Sequence, residues 1–178
     1  MLTSSTSKDL QDLFKSQLDI DLSLKILEIE SNKHISGRQA LASTEYVNNG
    51  FTSISHSTKF AIAVSTPRNK DLFGIGIDIE DPRDLNINAS KMFLAKAEIS
   101  QLQDTSSENL LRLWTIKEAV FKSMPENNNL FLRDFEIVSE HENKGQVRCQ
   151  KRINFDFCYF STKWNNSTIT IAKCLDKI

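Results

Sequence analysis

An acidic pair inside a short apolar run is the clearest chemical signal in this sequence. Residues 74–80 read Gly-Ile-Gly-Ile-Asp-Ile-Glu, so apolar and acidic side chains alternate. On a strand, this alternation sends the isoleucines into a core and places Asp78 and Glu80 together on the opposite face. Two carboxylates roughly 6–7 Å apart along a strand can bind one hard cation. A solvated strand face explains the same pattern, and the stretch alone leaves both interpretations open.

A second group of charged residues lies in 114–122, which read Trp-Thr-Ile-Lys-Glu-Ala-Val-Phe-Lys. On a helix, Glu118 and Lys122 are four residues apart and share a face, where the ordinary result is a weak surface ion pair. The flanking aromatic residues predict a largely buried helix, in which Lys117, Glu118 and Lys122 need partners or a cleft. Three carboxylates and two lysines would suit a magnesium-bound polyphosphate, because oxygen ligands hold the ion and ammonium groups meet the phosphate charge.

His56 is the third candidate, in the run Ser-Ile-Ser-His-Ser at 53–57. It lies near the end of a predicted strand, and the small hydroxyl side chains around it suit the close approach of an anion. A structural hydrogen bond is the more common role of a lone histidine, and that alternative stays open. His34 and His141 lie in polar surroundings and are expected at the surface.

Composition limits the classes of protein to consider. The chain has 178 residues with 39% hydrophobic and 25% charged content, which predicts one compact unit or two closely packed halves. A net charge of -1 argues against a general nucleic-acid binder. Three cysteines without a Cys-x-x-Cys motif predict neither structural zinc nor a disulfide framework, and a cytoplasmic protein is expected. No apolar run is long enough for a membrane span, and the polar start lacks a signal peptide's apolar segment.

The elements that must position these residues follow from periodicity, turn residues and caps. Helices are predicted at about 7–14, 32–46, 91–103 and 106–123, the second beginning at Ser31 or Asn32. Strands are predicted at about 20–26, 51–57, 60–65, 74–80, 135–138, 146–149, 155–163 and 168–174. Turns are expected at 48–50, 67–71 and Lys144-Gly145. Gly37 inside a helix predicts a close contact there. The fold class is therefore α+β.

Taken together and in order, the three motifs resemble those of the 4′-phosphopantetheinyl transferases. The resemblance is greatest to the larger class, the surfactin- and enterobactin-type enzymes of nonribosomal peptide, polyketide and siderophore synthesis, which is related to the enzymes that serve fatty acid synthesis. The segment Ser36-Gly37-Arg38-Gln39-Ala40 and the pair Phe93 and Glu98 are similar to lesser motifs of that class. The matches extend from about residue 36 to residue 122.

The resemblance implies two pseudo-symmetric α/β halves, 1–72 and 73–178, with coenzyme A bound in a cleft between them. It implies that Asp78, Glu80 and Glu118 hold Mg²⁺ and that the catalytic residues are Glu118, as base, and Lys122, as phosphate contact and acid for the leaving group. It assigns the contacts to coenzyme A to the side chains of Arg38, Ser55, His56, Lys117 and Lys122. The expected reaction transfers 4′-phosphopantetheine from coenzyme A to a serine of an apo acyl or peptidyl carrier protein and releases 3′,5′-ADP.

Two other functions stay open. The segment before His56 is short for the larger class, and residues 43–51 lack a Gly-x-Pro segment usual near the adenine. These departures would suit a non-catalytic relative that binds a carrier protein or coenzyme A. An unrelated Mg²⁺-dependent phosphohydrolase is the third possibility. A monomer is expected, because two internal halves replace the subunits of the smaller, trimeric class.

Overall fold

The computed structural model describes residues 6–30 and 32–176 of the chain. Its helices are α1 (Ser7–Leu18), α2 (Lys33–Ala42), α3 (Ile87–Ser90), α4 (Lys96–Gln101) and α5 (Ser107–Ser123), with a 3-10 turn at Leu132–Asp134. Its strands are β1 (Ser23–Glu28), β2 (Gly50–His56), β3 (Phe60–Pro67), β4 (Leu72–Glu80), β5 (Phe135–His141), β6 (Lys144–Cys149), β7 (Phe155–Trp164) and β8 (Ser167–Asp176). The predicted α+β class is confirmed.

The strands form two antiparallel sheets. The first has three strands in the order β1-β3-β2, and the second has five in the order β4-β8-β7-β6-β5. In the second sheet, β4 is an edge strand, because it pairs with β8 on one side and, within the described residues, has no main-chain ladder on the other. The strand that carries the acidic pair therefore faces the first sheet with a free edge.

One hydrophobic core packs against both sheets. Leu10, Phe14 and Leu18 recur every four residues along α1 and are all buried. The ring of Phe14 meets that of Phe160 on β7 edge-on, with 5.7 Å between centroids. The same core also holds Ile62 and Val64 of β3 and Ile75, Ile77 and Ile79 of β4. Residues from both sides of position 72 share this core, and the division into 1–72 and 73–178 stays a prediction.

The alternation predicted for β4 is confirmed. Its three isoleucines are at most 2% exposed. The other face, which carries Gly74, Gly76, Asp78 and Glu80, lies against α5. A Cβ atom at Gly76 would be 1.9 Å from the carbonyl oxygen of Ala119, and one at Gly74 would be 2.0 Å from that of Ser123. The absence of side chains at these two positions lets the backbone of α5 lie directly on the strand.

Helix α2 begins where its cap predicts and ends early. The side chain of Asn32 accepts hydrogen bonds from the N–H groups of His34 and Ile35; the alternative cap, Ser31, lies outside the described residues. The helix ends at Ala42 and not near residue 46. A Cβ atom at Gly37 would be 2.9 Å from Cγ2 of Ile54, so the close contact expected there is confirmed.

The single helix predicted for 91–103 is wrong. The chain forms α3 and α4 with an interruption between them, where Phe93 and Leu94 are 1% and 2% exposed. Helix α4 then starts afresh, with the Glu98 carboxylate accepting a hydrogen bond from the N–H of Ala95 at 2.7 Å. Burial of two adjacent apolar residues requires a change of direction that one regular helix cannot supply, since neighbouring residues point about 100° apart.

The predicted turn at Lys144-Gly145 is also wrong, because both residues belong to β6. The turn between β5 and β6 is Glu142–Asn143, with φ of 49° and 67°. A two-residue hairpin turn with positive φ at both positions suits the right-handed twist of the strands. The Asn165–Asn166 turn between β7 and β8 has the same geometry, with φ of 45° and 69°.

The three cysteines are free thiols on strands of the second sheet, and two of them are buried. Cys149, Cys158 and Cys174 are free, and burial raises the pKa of the Cys174 thiol to about 12. Such a thiol contributes almost no reactive thiolate near neutral pH. No helix in the described part of the chain has the length and apolar character needed to cross a membrane.

Candidate functional site

The packing of α5 on β4 brings the two charged motifs together. With Gly74 and Gly76 in contact with the helix backbone, the next residues on the same strand face are the acidic pair. Lys122 reaches this pair from the last turn of α5, and its Nζ lies 2.7 Å from Oδ1 of Asp78. Asp78 is 3% exposed, so the ion pair is shielded from solvent on the carboxylate side. The sequence-predicted residues Asp78 and Lys122 therefore meet directly.

Ser55 completes this contact from the other sheet. Its hydroxyl donates a hydrogen bond to Oδ1 of Asp78 at 2.8 Å. Oγ of Ser55 itself accepts hydrogen bonds from Lys122 Nζ at 3.2 Å and from the N–H of Ile79 at 3.4 Å. A serine hydroxyl has one donor and two lone pairs, so all three are in use.

The second oxygen of Asp78 has no partner. Oδ2 is buried and makes no hydrogen bond with the described residues. A buried carboxylate oxygen without a donor is costly, since buried polar groups are normally satisfied. An oxygen of this kind is a candidate metal ligand.

The negative charge of Asp78 acts on the carboxyl groups of both Glu80 and Glu118. Burial first, and then the negative charge of Asp78, raises the pKa of the Glu80 carboxyl, and the same two causes in the same order raise the pKa of Glu118. The positive charges of Lys122 and Arg83 act in the opposite direction at both groups. The negative charge of Asp78 thus disfavours ionisation of both glutamates, and a cation bound beside them would offset this repulsion.

Glu80 is held by two residues that the sequence did not single out for a role. Nε1 of Trp114 donates a hydrogen bond to Oε1 of Glu80 at 2.8 Å. The Arg83 guanidinium lies 3.3 Å from the same oxygen and 5.6 Å from the centre of the Trp114 ring. Trp114 opens the motif on α5, and its place one turn before Glu118 is the signal that could have indicated this contact.

The donor set fits Mg²⁺ by its chemistry and its location. The carboxylates of Asp78, Glu80 and Glu118 are hard oxygen ligands, and Oδ2 of Asp78 has no donor among the described residues. Within the described residues, however, no three acidic, histidine or cysteine side chains converge closely enough to enclose an ion. Lys122 occupies Oδ1 of Asp78 in this arrangement, and ion binding would need the two glutamates to turn towards Oδ2 of Asp78. Thr168 of β8, opposite Glu80 of β4, also has a buried hydroxyl that makes no hydrogen bond with the described residues.

The two sheets meet at this site through side chains. Ser53 Oγ accepts a hydrogen bond from the N–H of Ile77 at 3.1 Å, and Ser55 Oγ accepts the one from Ile79 described above. These N–H groups belong to the edge of β4 that has no ladder. Two serine hydroxyls two residues apart therefore take the place of main-chain acceptors, and β2 runs parallel to β4 at this joint.

An open depression of about 520 Å³ lies beside the acidic residues. Residues from both sheets line it, and the titratable ones include Lys33, His56, Glu80 and Arg83. His34 is exposed, as expected, but its ring packs edge-on against that of His56 at 5.5 Å. Arg38, expected at a phosphate, is exposed on α2 and is not among the residues that line the depression.

The structure does not support the phosphate contact expected of Lys117. This side chain is fully buried, and its Nζ donates to both oxygens of Glu98, at 2.6 and 2.7 Å, and to the carbonyl oxygen of Phe135. An ammonium group has three N–H donors, so none is left for a ligand. On α5, consecutive residues point about 100° apart, and Lys117 faces α4 and β5 while Glu118 faces β4. Lys117 thus holds the helix in place.

Comparison with known proteins decides the family. The sequence profile described as the 4′-phosphopantetheinyl transferase superfamily matches residues 74–172, more than half of the chain. The chain belongs to the 4′-phosphopantetheinyl transferase superfamily. The match begins at the first glycine of β4 and includes α5, so the superfamily pattern covers the strand and helix that carry Asp78, Glu80, Glu118 and Lys122.

A curated relative within the superfamily extends the similarity. The chain is 31% identical over 125 residues to the 4′-phosphopantetheinyl transferase Sfp of Bacillus subtilis (strain 168). The alignment covers 68% of this chain and 53% of the relative, so the chain spans about half the length of that protein. The resemblance to a 4′-phosphopantetheinyl transferase that the motifs predicted is confirmed.

Proposed function

We propose that this chain transfers the 4′-phosphopantetheine group of coenzyme A to a serine of an apo acyl or peptidyl carrier protein. The observation that carries the proposal is the meeting of Ser55, Asp78 and Lys122 within hydrogen-bond distance, beside Glu80 and Glu118 with raised pKa values. An acidic cluster next to an ammonium group suits metal-assisted transfer at a pyrophosphate. Membership of the superfamily supports the same reaction.

Asp78, Glu80 and Glu118 are the residues that would hold Mg²⁺. The bound ion would supply positive charge to the pyrophosphate oxygens of coenzyme A. Oδ2 of Asp78 would be one of the ligands, because it is buried and lacks any donor in the described structure. Trp114 and Arg83 hold Oε1 of Glu80, which orients that carboxylate.

Glu118 acts as the base for the carrier serine. Burial and the charge of Asp78 raise the pKa of this carboxyl towards the range in which a base is effective near neutral pH. The serine oxygen forms a bond to the β-phosphorus as the bond from that phosphorus to the 3′,5′-ADP oxygen breaks. The serine proton goes to Glu118, and Lys122 gives a proton to the leaving oxygen or neutralises its charge.

The depression beside the acidic residues is the proposed place for the nucleotide part of coenzyme A. Lys33, His56 and Arg83 line it and offer donors to phosphate oxygens. His56, at the end of β2, follows Ser55 directly and so connects this depression to the acidic cluster. The contact of Arg38 with the 3′-phosphate stays a prediction.

Incubation with coenzyme A, Mg²⁺ and a panel of apo carrier proteins tests the reaction. Intact-mass spectrometry should show an increase of one phosphopantetheine on at least one carrier, and Asp78→Asn should abolish it. A control reaction with an active transferase shows that each carrier can be modified. If those carriers are modified in the control and none reacts with this chain, the proposed activity is wrong.

A binding module without catalysis is the second candidate. It is favoured by one observation: within residues 6–30 and 32–176, the candidate ligands do not converge on a common point. Calorimetry separates the two functions, because a module would bind coenzyme A or a carrier tightly and leave the carrier mass unchanged. The cytoplasmic location, the monomeric state and the pathway served stay predictions.

A further inference from the structure

We infer that Ser55 is a positioning residue that fixes the orientation of the Asp78 carboxylate. This inference rests on the proposed function, because it concerns how the chain prepares its metal ligand. It adds to the role expected from the motif, in which Ser55 belongs to the coenzyme A contacts.

Ser55 uses its donor and both of its lone pairs within the protein. Its O–H donates to Oδ1 of Asp78, and its lone pairs accept from Ile79 and Lys122. The residue is also only 6% exposed. A phosphate would have to break one of these three bonds to reach the hydroxyl.

The same bonds determine which oxygen of Asp78 is free. Oδ1 accepts from both Ser55 and Lys122, at 2.8 and 2.7 Å, whereas Oδ2 accepts from no described residue. Two donors on one oxygen oppose rotation of the carboxylate about its terminal torsion, which is otherwise broad. Ser55 thereby keeps Oδ2 available as a ligand and prevents Lys122 from bridging both oxygens.

Ser53 is a control that the chain itself provides. It lies two residues earlier on β2 and is similarly buried, at 9% exposed. It accepts a hydrogen bond from Ile77 on β4, as Ser55 accepts one from Ile79. Among the described residues, Ser53 makes no hydrogen bond to a carboxylate, so Ser53→Ala removes one of the two links between the strands and leaves the partners of Asp78 unchanged.

The experiment measures binding of Mn²⁺, as a probe for Mg²⁺, in the presence of saturating coenzyme A. Free Mn²⁺ is followed by its electron paramagnetic resonance signal in the wild type, Ser53→Ala and Ser55→Ala. Removal of a partner that orients a metal ligand typically weakens metal binding 10–100-fold, so Ser55→Ala should weaken Mn²⁺ binding by about 10-fold or more. Ser53→Ala should stay within about twofold of the wild type, since no ligand changes its partners. Ser55→Ala should also lose more thermal stability than Ser53→Ala, because it removes three hydrogen bonds and not one.

Further readouts separate the possible failures. If the two variants bind Mn²⁺ equally well, or if Ser55→Ala weakens coenzyme A binding and leaves Mn²⁺ binding intact, the inference is wrong. If the wild type itself binds no Mn²⁺, the proposed metal site fails and not merely the role of Ser55. Should Ser55→Ala not fold, Ser55→Cys repeats the test, because a thiol fills similar space and is a weak donor; the same loss of Mn²⁺ binding is expected.

Discussion

At the scale of single residues, the acidic cluster is a compromise between stability and activity. Asp78 is buried with one oxygen satisfied and one bare. Its charge contributes to the raised pKa values of Glu80 and Glu118. Groups whose ionisation is made unfavourable by folding destabilise the native state once they are ionised. Lys122 offsets part of this repulsion by pairing with Asp78.

Glu118→Gln should therefore stabilise the metal-free protein and abolish transfer. Loss of the proposed base and ligand should lower the rate by about 100-fold or more. In EDTA, the melting temperature should rise, because an ionised carboxylate near Asp78 is removed.

The pH dependence of Glu118→Gln follows from the raised pKa of Glu118. Stability associated with protonated Glu118 is fully present below its unfolded value of 4.5 and is lost as pH rises through the higher folded pKa. The stability advantage of the variant should accordingly grow from acid towards neutral pH. Thermal unfolding at several pH values measures it, and a variant less stable than the wild type at every pH would contradict this account. Glu108→Gln, on the exposed first turn of the same helix, is the matched control.

At the scale of elements, the contact between α5 and β4 determines the geometry of the candidate site. Glycine at positions 74 and 76 lets a helix backbone lie on a strand, and this sets the distance from Asp78 to Lys122. Lys117, Glu98 and the Phe135 carbonyl hold the opposite side of the helix. Burial lowers the pKa of the Lys117 ammonium against the opposing charge of Glu98. The helix is fixed on both faces.

Gly76→Ala should displace α5 and destabilise the protein by about 3 kcal/mol or more, as overpacking of a close contact does. The added Cβ would lie 1.9 Å from the Ala119 oxygen and 2.5 Å from the Ser123 nitrogen, and these backbone atoms cannot rotate away. Urea unfolding gives the loss, and the transfer assay should show a large fall in rate as Glu118 and Lys122 move.

Gly37→Ala is the control for this prediction. Its new Cβ would meet a side-chain methyl group of Ile54 at 2.9 Å, which can adjust, and alanine favours the helix by about 1 kcal/mol. Its stability should stay within about 1 kcal/mol of the wild type, and its activity should be retained. Equal losses of stability in Gly76→Ala and Gly37→Ala would mean that the close contact between Gly76 and α5 does not limit the size of the side chain at position 76.

At the scale of the whole molecule, three features join the two sheets. They share one core, their edges meet through Ser53 and Ser55, and Asp81 connects three loops. The Asp81 carboxylate accepts from the N–H and hydroxyl of Thr58, in the turn after β2, and from the Ser167 hydroxyl at the start of β8. Of these residues, Thr58 and Asp81 also line the depression beside the acidic cluster.

Asp81→Ala should loosen this arrangement. Loss of the acceptor shared by Thr58 and Ser167 should lower stability by about 1–3 kcal/mol. Coenzyme A binding should weaken as well, because Thr58 and Asp81 both line the proposed nucleotide depression. Chemical unfolding and calorimetry measure the two effects.

Asp84→Ala is the control, since Asp84 is exposed three residues further along the same segment. It should change neither stability nor coenzyme A affinity appreciably. A similar loss of coenzyme A affinity in both variants would point to general negative charge and not to the links made by Asp81.

The sequence alone determined what depends on local periodicity and residue type. Alternation in 74–80 predicted the buried isoleucines and the acidic face, the caps predicted α5, and three motifs in order predicted the family. The sequence misplaced the boundaries of helices and strands where burial interrupts a helix, as at Phe93, and where an asparagine with positive φ forms the turn, as at Asn143. Those outcomes depend on neighbours that lie far away in the chain.

Only the tertiary structure decided which charged residues face the site. Lys117 and Lys122 are equivalent as sequence, yet one is enclosed by Glu98 and the other reaches Asp78. Ser55 and Lys122 are 67 residues apart in the chain and meet through the joint between two sheets. Helix rotation and strand adjacency are set by long-range packing, against backbone at Gly76 above all, and no local pattern encodes that packing.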